Sequence, residues 1–70
     1  MTIILTDHTK KRMAERAISF KQVQETIEMP EYTVQKEHKT EAYKHHGGKM
    51  LKVVYAAKDK YIKVITLMWK

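Results

Sequence analysis

The change of period at Pro30 constrains this chain more than any other feature. Ahead of it apolar residues recur at helical spacing, and behind it they alternate. Proline lacks an amide proton and disfavours helix in the residue before it, so a helix must stop just beyond Met29. Its start is equally marked. Ser19-Phe20-Lys21-Gln22 reads as a capping box with Ser19 as N-cap, and Ile18 and Val23 occupy the two positions of a hydrophobic staple. Phe20, Val23 and Ile27 then make one apolar stripe. An earlier helix over Asp7–Arg16, capped by Thr6 or Asp7, follows a short strand at residues 2–5.

Beyond Pro30 the alternation predicts strands at residues 32–38 and 42–46, both rich in polar residues. Gly47-Gly48 supplies turn chemistry before a strong strand at residues 50–57, which carries Leu51, Val53 and Tyr55 on one face. Lys58-Asp59-Lys60 turns the chain into Tyr61–Trp69. Strict alternation there gives the faces Ile62, Val64, Thr66, Met68 and Lys63, Ile65, Leu67, Trp69. Both are largely apolar, so this strand is central. The fold class is α+β: two N-terminal helices on an antiparallel four-stranded sheet, with residues 2–5 as a short extra strand.

Seventy residues allow a single domain, 1–70, with a small core. Burial against a second copy or another protein is a natural remedy, so a homodimer is one expectation. The chain has no cysteine, which fits a reducing cytoplasm. Ile3-Ile4-Leu5 is too short for a signal peptide, and no stretch approaches a membrane span, so no membrane partner is expected. The net charge of +6 is unevenly placed. Residues 1–35 carry five basic and five acidic side chains, whereas residues 36–70 carry nine lysines against three acids, 9 − 3 = +6. A one-sided basic surface suits an anionic partner, RNA or an acidic protein. Lysines on strand edges also deter aggregation, which is the plainer explanation.

His8, Arg12 and Arg16 stand four residues apart, so on a helix they drift by only about 40° per step and form one stripe. Met13, Ala14 and Ala17 lie on a neighbouring, core-directed face, which puts the stripe where helix meets sheet. A helix N-terminus and a nearby guanidinium both disfavour imidazolium, so a neutral His8 is expected. Neutral imidazole beside two guanidinium groups can serve as a base and a phosphate clamp. Alternatively His8 bonds a backbone carbonyl and locks the helix. His38, His45 and His46 do not make a metal site: neighbours on a strand point to opposite faces, and neither cysteine nor an HExxH spacing is present. No metal or other cofactor is expected. Lys44, His46 and Lys52 are candidate phosphate contacts, and Trp69 and Tyr55 candidate stacking surfaces, although strand aromatics more often fill a core. Thr66 is the polar exception on its face, either a strand former or a hydroxyl for a phosphate oxygen.

The run LTDHTKKRMAERAIS at residues 5–19 resembles the opening of domain-of-unknown-function family 4258, T-x-H-A-x-x-R-M-x-x-R-G-I-S. The likeness continues at Glu28-Met29-Pro30 and in the last hairpin, at Leu51-Lys52-Val53-Val54 and Val64-Ile65-Thr66. Thr9 replaces the family's usual alanine and Ala17 its glycine; the second change implies a helix end without a left-handed residue. The resemblance implies a RelE/ParE-like fold, of the wider group of barnase-, colicin- and EndoU-like nucleases. These cut RNA without a metal, by attack of the ribose 2′-hydroxyl. Carried over, it implies His8 as general acid or base, Arg12 and Arg16 stabilising phosphorane charge, and Thr66 as an auxiliary phosphate contact. A bacterial toxin neutralised by a small acidic antitoxin is the leading expectation. A non-catalytic binding module on the same fold is the alternative, and a self-associating domain with a structural stripe is a third.

Overall fold

The computed structural model describes residues 2–70. Its elements are β1 (Thr2–Ile4), α1 (Asp7–Arg16), α2 (Phe20–Glu28), β2 (Tyr32–Gln35), β3 (Thr40–His46), β4 (Lys49–Ala57) and β5 (Tyr61–Trp69). They form one five-stranded sheet in the order β1-β5-β4-β3-β2. The sheet is mixed rather than four-stranded and antiparallel. β2 to β5 make an antiparallel meander, and the short N-terminal strand joins it in parallel, with Thr2 to Ile4 beside Tyr61 to Lys63.

Thr6, not Asp7, caps α1, accepting from the Thr9 amide through its hydroxyl. The capping box of α2 forms as the spacing requires: the Gln22 amide donates to Ser19 Oγ and the Ser19 amide to Gln22 Oε1. Between the helices Ala17 has φ 54° and ψ 48°, the left-handed region, where its Cβ crowds the carbonyl. The expectation of a helix end without such a residue is therefore wrong. The chain turns as glycine would allow, with alanine in place. Gly47 and Gly48, both at positive φ, close the two-residue hairpin that pairs His46 with Lys49. The strand expected over residues 32–38 stops at Gln35, because the Lys36 amide donates to the Lys39 carbonyl and turns the chain.

The helices cover one face of the sheet. The core joins Met13, Ile18, Val23 and Ile27 to Leu51, Val53, Ile62, Val64 and Leu67, with Tyr55 and Trp69 packed against it. Ile18 and Val23, the staple pair, are both in it. Phe20 is 45% exposed, and Thr26 takes its expected place on the buried stripe of α2. Met13 of α1 faces inward as expected, but Ala14 and the C-cap Ala17 are exposed, and Thr9 is buried beside Met13.

Strict alternation fails in β5. Val54 pairs with Thr66 but Tyr55 pairs with Val64, so Ile65 is an extra residue, a β-bulge. Ile62 and Val64 face the helices before it, and Leu67 and Trp69 after it. Thr66 and Met68, paired with Val54 and Lys52, face away.

Candidate functional site at the edge of the first helix

β1 covers only Tyr61 to Lys63 of the outer edge of β5, and α1 lies along the rest. Thr9 Oγ1 donates to the Val64 carbonyl at 3.4 Å, and Arg16 Nη1 to the Leu67 carbonyl at 2.7 Å. Seven residues of helix rise about 10.5 Å. Three residues of strand span about 10 Å, so the two donors match the two acceptors. Carbonyls pointing the same way recur every second residue in a regular strand; the extra Ile65 makes that interval three. The bulge thus serves the seam between α1 and β5. Trp69 Nε1 fastens it further by donating to the Arg16 carbonyl at 2.7 Å.

His8 and Arg12 lie on the outer side of the seam, His8 exposed and Arg12 half-buried. Arg12 Nε donates to His8 Nε2 at 3.3 Å. Guanidinium can only donate, so His8 Nε2 is the acceptor of this bond. A basic nitrogen is thereby held next to a permanent cation on an accessible edge. Arg16 shares the stripe but not the setting. Its guanidinium bonds the backbone of β5 through one N–H, which leaves its other N–H groups for a ligand.

The remaining sequence-derived candidates divide between the two faces of the sheet. His46 is on the helix side, with Nε2 at 2.9 Å from Thr26 Oγ1 and its ring edge-on to Trp69 at 6.4 Å. Thr26 gives its proton to the Gln22 carbonyl at 2.7 Å, so His46 Nε2 donates to Thr26. This pair fastens α2 to β3. Lys49 Nζ stands 5.8 Å from the centre of the Trp69 ring. Lys44 Nζ donates to the Met29 carbonyl at the end of α2. His46 and Trp69 thus join Arg16 in one fastened end, while Lys44 secures α2 separately. Tyr55 packs in the core.

Thr66 and Lys52 are on the opposite, open face. Lys52 Nζ lies 3.7 Å from Glu41, and Tyr43 donates its hydroxyl to Glu41 at 3.0 Å. That bond first, then the nearby lysines, holds the Glu41 carboxyl below its ordinary range; burial first, then the same bond, raises the Tyr43 phenol. Glu31 is lowered mainly by the His45 amide and ring. His45 and His46 therefore serve opposite faces, and among the described residues no three His, Cys, Asp or Glu side chains cluster as metal ligands. No helix among the described residues is long and apolar enough to cross a membrane. Sequence reasoning missed Thr9 in the seam and the Tyr32–Tyr43 pair; only the alternation of Glu41, Tyr43 and His45 hinted at the latter.

The family described as domain of unknown function (DUF4258) matches residues 5–69. The chain matches no curated protein and no solved structure.

Proposed function

The chain belongs to the DUF4258 family, and on that premise we propose that it is a metal-independent endoribonuclease of toxin–antitoxin type with a RelE/ParE-like fold. The observation that supports this reading is the His8–Arg12 pair, an imidazole nitrogen that accepts from a guanidinium on an accessible edge. An RNA phosphate competes for Arg12 and frees His8 Nε2. The imidazole then takes the proton of the ribose 2′-hydroxyl, whose oxygen bonds the adjacent phosphorus as the bond to the 5′-oxygen breaks. The leaving oxygen takes up a proton, from the imidazolium or from water. The products are a 2′,3′-cyclic phosphate and a 5′-hydroxyl. Arg12 and the free N–H groups of Arg16 balance charge on the phosphorane. Thr66 faces away from the helices and has no part in this step.

The non-catalytic alternative has one observation in its favour: Arg16, His46 and Trp69 are all engaged in fastening the helices. Incubating the purified chain with RNA in EDTA separates the two. Cleavage to cyclic-phosphate ends that is lost in His8→Ala and on 2′-deoxy substrate supports the nuclease. Tight RNA binding with intact RNA supports the binding module. Undiminished cleavage by His8→Ala would sink the role given to His8.

A further inference from the structure

The face of the sheet turned away from the helices has a built pattern that RNA cleavage does not use. Along β5 its side chains are Tyr61, Lys63, Ile65, Thr66 and Met68, and Lys70 follows. Ile65 is 43% and Met68 36% exposed, an aliphatic centre with a lysine at each end. Lys52 adds a third cation beside Met68, and Glu41 is the acid paired with it. Lys63 to Lys70 spans about 23 Å of strand. That is the length of a helix of about 15 residues.

We propose that this face docks an acidic amphipathic helix of another protein, its apolar stripe on Ile65 and Met68 and its carboxylates on Lys52, Lys63 and Lys70. The proposal stands apart from the nuclease reading, since it uses side chains of the strands and neither His8 nor Arg12. Charge complementarity selects an acidic partner. A second copy is disfavoured, because an isologous contact would set these lysines against their own kind. RNA fits poorly because the central aromatic ring is already covered. Tyr43 stacks on Tyr32 at 4.5 Å and 12°, and the Nζ atoms of Lys52 and Lys70 lie 5.9 and 5.2 Å from its centre. The exposed tyrosines of this face stand at its margins, Tyr32 on the edge strand and Tyr61 at the start of β5. The exposed centre is aliphatic, which suits leucine rather than a nucleobase.

The test is a titration of the isotope-labelled chain, followed by amide NMR shifts, with a synthetic helix of about 15 residues, leucines at three- and four-residue spacing and glutamates elsewhere. Saturable shifts are expected at Lys52, Ile65, Met68 and Lys70. A scrambled peptide of the same composition, and an Ile65→Ser/Met68→Ser variant that keeps a folded spectrum, should each bind at least roughly tenfold more weakly. His8→Ala should bind as the parent does, and the serine variant should keep the parent's RNA-cleaving behaviour. Four results would overturn the proposal: no shifts, or shifts centred on α1; equal binding of the scrambled peptide; larger open-face shifts with oligouridylate; or concentration-dependent shifts there without peptide.

Discussion

Arg12 and Arg16 are the same residue type on the same stripe of one helix, yet one end of that stripe is open and the other is fastened. Arg12 bonds the exposed His8 side chain, and Arg16 bonds the backbone of β5. What separates them is the surface opposite. Where α1 passes Leu67, an unpaired edge carbonyl needs a donor, and leaving such a group unpaired costs about 1–3 kcal/mol. Periodicity tells which residues share a face; it does not tell what that face meets. A cationic stripe read from spacing is therefore two units, one free to meet a ligand and one that also holds the fold.

The largest expected effect tests the open end. His8→Ala should lower RNA cleavage by about 10²–10⁴-fold, the usual contribution of an acid–base group, with the melting temperature unchanged. An equal loss of stability would erase the distinction between the ends. Arg16→Ala should in addition cost stability at the fastened end, destabilising by about 2 kcal/mol through the unpaired Leu67 carbonyl. In a domain of this size that lowers the melting temperature by about 10 °C. Denaturant unfolding measures it, and a variant as stable as the parent would place Arg16 with Arg12.

A smaller change sharpens the comparison at the junction just beyond Arg16. Ala17→Gly should stabilise by about 1 kcal/mol, because glycine adopts φ 54° without a Cβ clash. A destabilised variant would mean that the gain in chain entropy outweighs that relief. The smallest effect belongs to the open face, as a control remote from both ends. The Tyr43 phenol is raised above its ordinary value of 10.0, so folding favours its neutral form. Its contribution is complete below that value and is lost as pH rises through the raised one. Glu41 is lowered below 4.5, so its contribution is present above that value and is lost as pH falls through the lowered one. Spectrophotometric titration should find Tyr43 ionising above 10.0, and Glu41→Gln should bring it down; an unchanged value would rule out the Glu41 bond as a cause.

What was legible in the sequence was local chemistry. Ser19 with Gln22 starts α2, Pro30 ends it, and Gly47-Gly48 makes the hairpin, each through groups a few residues apart. What was hidden depends on partners distant in the chain. Thr9 looks like a surface residue until the Val64 carbonyl, fifty-five positions on, is found beside it. Phe20 looks like core, but Thr26 takes the inward place by bonding Gln22 and His46. The candidate site followed the same rule: the His8–Arg12 pair is an i, i+4 contact, while Arg16, His46 and Trp69 found long-range partners.

The extra residue at Ile65 has a consequence for how this chain tolerates change in length. It acts as a frameshift in the sheet: even-numbered positions address the core before it, odd-numbered positions after it. The turn at residues 36–39 has no such address to keep and should accept an insertion freely. Removing one residue between Lys63 and Thr66 would restore regular alternation and still leave Leu67 and Trp69 on the helix side, with Thr66 and Met68 on the open face. What it would break is the seam: the Val64 and Leu67 carbonyls would stand one residue closer, too near for Thr9 and Arg16 on α1 to reach both.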